Sequence, residues 1–354
     1  MSAKTRDTLF VVCLFLMALM AGFRDQGGND WLVYEGIYQR SLTFPSVLSL
    51  RAVDSNYEMG YVYFVAFFKT LGLSFYGYVL INALLFYICL WKGLRRYTDH
   101  FGFVIIVFLY KLFYYNTFIS MRQSVSIALF FLMIPLLENR RIVPYMLLSF
   151  LASRFHNGAY LLFLLYPVTY LNLTKNGLVL LNVIFIPTLA ISLSGIDVLG
   201  PIGSFLESYA ETDAEFSKID RYFYDENLTP IGIFHTVEYF SLMLLLIANY
   251  NDIRSASPHS KLFINLFVCL LPLFTLLRGS EVLTREKDYF TISYAFILAM
   301  MLHLDQGRHK TMIIIATVAI CSFGFIRFVS LFDGGVFLHY QSWLSNPAAS
   351  LFLR

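Results

Sequence analysis

The feature that most constrains this chain is a train of apolar runs extending from residue 8 to residue 331. They cover 8–23, 74–92, 101–118, 122–138, 142–154, 157–172, 177–195, 233–250, 261–278, 288–303 and 311–331, with a shorter run at 58–73 that carries Lys69. A helix crosses the hydrocarbon of a bilayer with about 20 apolar residues, in a range of about 17–25. The expected fold is therefore all-α: a polytopic integral membrane protein of about 11–12 transmembrane helices with an outward-facing cavity. Composition agrees, since 58% of the 354 residues are apolar and only 14% charged, against about 25% charged in soluble domains. No stretch between runs is long enough for a sizeable extramembrane domain, so residues 1–354 read as one transmembrane domain.

The net charge of +3 contains no basic tail or Lys/Arg run, and nothing points to nucleic acid. Cys13, Cys89, Cys269 and Cys321 all fall inside apolar runs without metal-site spacing, as packing residues do. Lys4 and Arg6 precede the first run, which lacks a small-residue cleavage site and reads as a start anchor.

Basic residues set the orientation. Lys4/Arg6, Lys92/Arg95/Arg96, Arg140/Arg141, Lys175, Arg254/Lys261 and Arg308/Lys310 fall on one side, the cytoplasmic one, if 58–73 enters and returns without crossing. A twelve-span chain with one violation of the charge rule is the rival arrangement. The outer loops are then 24–57 and 196–232. The second carries Asp197, Glu207, Glu211, Asp213, Glu215, Asp220, Asp225 and Glu226 against Lys218 and Arg221, as a solvated surface or as a gate over a cleft.

Cations also gather where this rule disfavours them. Arg24, Lys111, Arg122, Arg154, Arg278, Arg285 and Arg327 fall at or just inside the outer boundary. Each ionised group within hydrocarbon costs at least about 2.5–3.5 kcal/mol. Any one can snorkel to the head groups, but their joint occurrence suggests an anionic ligand at the outer leaflet. Arginine suits a diphosphate because its planar fork pairs with phosphate oxygens and stays ionised.

Residues 142–172 must go in and come back, with Arg154-Phe155-His156-Asn157-Gly158 between. Two helices of about 15 residues reach roughly 22 Å each, less than the hydrocarbon core of about 30 Å. The turn is thus expected below the surface, where non-helical backbone is tolerated only inside protein or beside a wet cavity. His156 is then either a structural histidine or part of a cavity floor. The first outer loop opens with Arg24-Asp25-Gln26-Gly27-Gly28-Asn29-Asp30-Trp31 and then Tyr34. It reads as a turn capping a helix that starts near Asp30, or as a polar lip for sugar hydroxyls. Asp30 and Tyr34 share a face if that stretch is helical. Glu58 heads the 58–73 run, as an N-terminal helix charge or as a site residue.

Taken in order, several of these pieces resemble the EpsG/Wzy-type polysaccharide polymerases. They are Arg24-Asp25 with Asp30 and Tyr34, Glu58-Met59-Gly60-Tyr61, Leu71-Gly72-Leu73-Ser74, Lys92-Gly93-Leu94-Arg95-Arg96-Tyr97, Met121-Arg122-Gln123 with Ala128, and Phe155-His156-Asn157-Gly158-Ala159. Arg285 with Tyr289-Phe290 matches more faintly. The chain departs from the family at Met59, where proline is frequent, and at Asn157-Gly158, where a larger polar residue and serine are frequent.

The resemblance implies an inner-membrane enzyme with a cytoplasmic N-terminus. It would join undecaprenyl-diphosphate-linked oligosaccharides, as donor and acceptor, at the periplasmic face, into O-antigen or a related surface polysaccharide. A chain-length regulator would be its protein partner. In this reading Arg122 and Arg285, with Arg24 as a third, hold the diphosphate, and Gln123, Tyr34 and Tyr289 contact phosphate or sugar. His156, Asp30 and Glu58 are, in that order, the candidate bases; imidazole titrates near neutral pH, and His156 serves equally as a diphosphate contact. The histidines are scattered and no Asp-x-Asp pair is present, so a metal-free, cofactor-free transfer is expected. The competing readings are an O-antigen ligase or other lipid-linked-sugar glycosyltransferase, a secondary transporter, a multispan acyltransferase and a scaffold without catalysis. A transporter would place its charges near the midplane within repeated halves, and neither is found here.

Overall fold

The computed structural model describes residues 3–28, 30–49, 57–194, 200–209, 216, 219, 231–278, 284–303, 308–347 and 349–353. The acidic loop expected at 196–232 falls for the most part outside them; of its charged residues only Glu207 is described. Helix makes up 80% of the structure and no strand forms among the described residues. In chain order the helices are α1 (Ala3–Gly22), α2 (Trp31–Arg40), α3 (Phe44–Ser49), α4 (Met59–Thr70), α5 (Phe75–Leu94), α6 (Phe101–Phe108), α7 (Met121–Glu138), α8 (Ile142–Ser153), α9 (Leu161–Val168) and α10 (Lys175–Leu193). There follow α11 (Gly200–Glu207), α12 (Ile233–Ala248), α13 (Tyr250–Ala256), α14 (Ser260–Val268), α15 (Leu270–Phe274), α16 (Lys287–Met301) and α17 (Arg308–Leu331).

All eleven long apolar runs are thus helical, but they differ in reach. Among the described residues five helices are long and apolar enough to cross a membrane: Thr5–Gly22, Phe75–Tyr97, Met121–Glu138, Lys175–Leu193 and Lys310–Leu331. The pair α12 and α13, bent by 80°, makes a sixth if it is one span. The other runs are shorter or broken. The 101–118 run passes from α6 into π-helical turns at Leu109–Phe113 and Tyr115–Ile119. The 261–278 run breaks at Cys269 between α14 and α15.

The chain forms two compact units, Met1–Tyr166 with Gly307–Arg354, and Pro167–Gln306. In the first, α1 and α5 run antiparallel: a Cβ on Gly22, at the end of α1, would lie 2.9 Å from Cα of Leu80, near the start of α5. Small residues allow such close approach. The Asn82 amide donates to the Ser124 hydroxyl at 3.4 Å, which pairs the starts of α5 and α7. The Ser126 hydroxyl donates to the Ala152 carbonyl at 3.2 Å, which joins the start of α7 to the end of α8. Residues near 22, 75, 121 and 153 therefore share one end of this unit, called the loop end below. The other end holds Arg6, Arg95 and Arg96, bonded to Asp99 (2.7 Å), Asp7 (3.3 Å) and Glu138 (3.0 Å).

This arrangement decides the parity question. Residues 23–74 leave from and return to the loop end, so α4 makes no net crossing. Its 12 residues reach about 18 Å. The basic loops of this unit then collect at one end, as the charge rule requires, and the twelve-span rival does not hold. Lys69, awkward inside a span, instead closes α2: its ammonium donates to the carbonyls of Tyr38 (3.1 Å), Gln39 (2.8 Å) and Ser41 (2.6 Å), where the helix dipole favours a cation. Trp31, Tyr34, Tyr38, Tyr61, Phe75 and Tyr78 pack here into an aromatic core.

The segment after α17 returns to the same end. Trp343 donates from its indole to the Gly22 carbonyl at 3.0 Å, Asn346 bonds the Asp25 carboxylate at 2.9 Å, and Ser74 N–H donates to the Leu351 carbonyl at 3.0 Å. Residues 341–353 thus strap the α1–α2 and α4–α5 connections together. In the second unit Tyr239 stacks on Phe274 (4.8 Å) and Phe263 on Phe296 (4.0 Å), around the buried face of α16.

Candidate functional site

At the loop end of the first unit four connections meet. Glu58 precedes α4 in extended conformation (ψ 133°), and its carboxylate has two partners. Oε2 accepts from Nη1 of Arg122 at 2.5 Å, and Oε1 accepts the backbone N–H of Asn157 at 3.2 Å. Arg122 stands in the first turn of α7, and Asn157 opens a 3-10 turn, Asn157–Tyr160, after α8. One carboxylate thus ties a helix start to the turn that sequence length had placed below the membrane surface. The side chain of Glu58 is 10% exposed and that of Arg122 28%, so the pair is largely withdrawn from solvent while the guanidinium keeps an open edge.

The surroundings hold this geometry. The Arg122 guanidinium lies 5.1 Å from the centre of the Tyr57 ring, a cation–π contact. Tyr34, one turn into α2 and buried, stands against Arg122: burial raises its phenol above the usual tyrosine range, the Arg122 charge opposes that rise, and Asp30 adds to it. Gly60 lets the start of α4 close onto the α8 turn. A Cβ there would sit 2.6 Å from the Arg154 carbonyl oxygen, which accepts the Tyr61 N–H at 3.3 Å. His156, half-buried, is the residue before Asn157; its N–H donates to Ala152 and its carbonyl accepts from Ala159.

Of the expected site residues, the fold therefore gathers Tyr34, Glu58, Arg122 and the His156 turn, with Asp30 at the head of α2. Gln123 follows Arg122 but is buried in α7 at 2% exposure. Arg24 is 2% exposed and turned inward: its guanidinium donates to the carbonyls of Ala21 and Phe118 and stacks on Trp31 (5.0 Å) and Phe118 (4.8 Å). Burial draws its pKa down to about 9. Arg285, half-buried, and Tyr289, fully buried, belong to the second unit, beside the buried Asp288.

The outward cations do not form a single basin within the first unit. Arg154 bonds the Tyr160 hydroxyl and stacks on Phe150, Lys111 lies over Tyr110 at 4.4 Å, and Arg327 is exposed on α17. Sequence reasoning missed Tyr57 and the Asn157 backbone amide. An aromatic residue immediately before a site carboxylate was the available signal for the first; a backbone donor leaves no signal of its own. Among the described residues no three His, Cys, Asp or Glu side chains come together as metal ligands do.

A model of the EpsG family matches residues 7–342, nearly the whole chain. The chain belongs to the EpsG family. That family includes Wzy-type polymerases, and membership supports a polysaccharide polymerase-like role in the membrane. No curated protein and no solved structure matches this EpsG-family chain.

Proposed function

We propose that the protein polymerises undecaprenyl-diphosphate-linked oligosaccharides into O-antigen or a related surface polysaccharide. It would lie in the inner membrane with its N-terminus in the cytoplasm and the loop end of the first unit facing the periplasm. A terminal hydroxyl of one lipid-linked unit attacks the anomeric carbon of another. The bond between that carbon and the diphosphate oxygen breaks, the electron pair leaves with undecaprenyl diphosphate, and the hydroxyl proton passes to a base.

The observation that carries this reading is the Glu58–Arg122–Asn157 bridge. Negative charge grows on the diphosphate as the bond breaks, and a fixed guanidinium aimed there lowers the barrier. Glu58 holds Arg122 by one oxygen and the Asn157 amide by the other, so its role is to position rather than to take the proton. His156, next to that amide, is the better base, and general-base assistance contributes about 10²–10⁴-fold. Asp30, near Tyr34, is the second candidate. Tyr34 supports Arg122, and Arg285 is a further candidate for a diphosphate contact. Transfer proceeds without a metal.

The test is deletion of the gene followed by display of surface glycan on a gel. Wild-type protein is expected to restore a ladder of chain lengths. Arg122→Ala and Arg285→Ala, shown to be inserted in the membrane, should each leave single repeat units on the anchor. Long chains of normal length from both variants would overturn the mechanism.

A further inference from the structure

A hollow lies at the same end of the first unit, outside the Glu58–Arg122 cluster. It measures about 170 Å³ and lies between the Arg24–Gly27 turn and the Val336–Gln341 segment. An apolar cavity of about 150 Å³ takes a benzene ring, so this one has room for a single six-membered ring. Its wall is aromatic: Tyr114 and Phe337 stack at 4.6 Å, and Phe118 meets Phe337 edge-on at 5.7 Å.

The charges beside it are already committed. The Arg24 guanidinium donates to the Ala21 and Phe118 carbonyls. The Asp25 carboxylate accepts from the Tyr76 hydroxyl at 3.0 Å on one oxygen and from the Asn346 amide at 2.9 Å on the other. What remains toward the opening is polar, and includes the exposed imidazole of His339. The exposed amides of Gln26 and Gln341 make no side-chain hydrogen bond among the described residues, and the Tyr340 hydroxyl, which donates to Met20, can still accept. An aromatic wall with neutral hydrogen-bonding groups at the rim suits the C–H face and hydroxyls of a sugar. Arg24 is the one arginine or lysine in the described lining and is turned onto two carbonyls, so the hollow presents no free guanidinium or ammonium to an oxoanion, as a phosphate site would.

The turn is also preformed. Gln26 has φ +62°, followed by Gly27 at +104° and Gly28 at +91°. A left-handed glutamine persists only where its surroundings over-determine it. Here Asp25 N–H donates to the Gln341 carbonyl at 2.8 Å and Trp343 N–H to the Phe23 carbonyl at 3.0 Å, on either side of an antiparallel bridge between Arg24 and Ser342.

We propose that this hollow is a sugar subsite that seats one uncharged pyranose of the oligosaccharide, apart from the diphosphate end held at Arg122. The identity of the oligosaccharide as substrate rests on the reading of function above; the chemistry of the hollow does not.

The experiment uses the full-length protein in lipid nanodiscs and saturation-transfer NMR with glucose, galactose, N-acetylglucosamine, glucuronate and inorganic pyrophosphate as probes. At least one neutral sugar should bind, and the Gln26→Ala/Gln341→Ala double variant should bind it about tenfold more weakly, as loss of two modest hydrogen bonds predicts. Both residues are exposed, and an unchanged melting temperature would verify the fold. Arg122→Ala should leave this binding intact. Absence of neutral-sugar binding, preference for glucuronate or pyrophosphate, or equal binding by the double variant would each overturn the subsite. If neutral sugars bind as expected but the protein makes no polymer in the deletion strain, the subsite stands and the polymerase reading falls.

Discussion

The two ends of the first unit use the same ion-pair chemistry to different effect. At the basic end Arg6–Asp99, Arg95–Asp7 and Arg96–Glu138 sit in water, with side-chain exposures from 23% to 74%. Exposed pairs of this kind contribute about 0.2–1 kcal/mol each. At the loop end Glu58 is 10% exposed and spends both oxygens on elements 64 and 99 residues away. Removing one member of a withdrawn pair strands the other, at a cost of about 3–5 kcal/mol when burial is complete.

Substitutions at the two ends can break or sharpen that contrast. The largest effect is expected from Arg122→Ala, with polymerisation down by about 10²–10³-fold, the magnitude for losing one preorganised donor to a developing anion, as read by glycan ladder and in vitro chain growth. His156→Ala should follow, at about a hundredfold; chain growth at the wild-type rate would remove His156 as the base. Glu58→Gln keeps an acceptor for the Asn157 amide but drops the charge. It should slow the reaction by about tenfold, with a lowered melting temperature that the withdrawn location explains. Gly60→Val forces a side chain against the Arg154 carbonyl, so a several-fold loss of activity is expected as α4 backs away. Arg95→Ala, at the basic end, should change stability by less than about 1 kcal/mol and leave the ladder unaltered. A large loss of polymer there would erase the distinction between the ends.

Most of the fold was legible because hydrophobic runs and basic loops report directly on a bilayer. Glu58, Arg122 and the His156 turn were legible as oddities, a charge or a break where hydrocarbon forbids one. The rest was not, for physical reasons. Arg24 and Arg122 look alike in sequence, each beside the end of an apolar run. Only packing shows one folded inward onto two carbonyls and the other held at a partly open edge. Lys69 stood out only as a charge within the short 58–73 run, whereas it caps the neighbouring helix. The lengths of helices were misleading where π turns at 109–119 and the break at Cys269 divide runs that hydropathy treats as continuous.

The strap formed by residues 341–353 has a consequence for biogenesis. Its partners at Gly22, Asp25 and Ser74 emerge from the ribosome 276 to 321 residues earlier. Insertion of the first helices can therefore proceed during translation, but the loop end closes only after α17 is in place. Nascent or prematurely terminated chains would dwell in the bilayer as inserted yet unlatched intermediates, open to quality-control proteases.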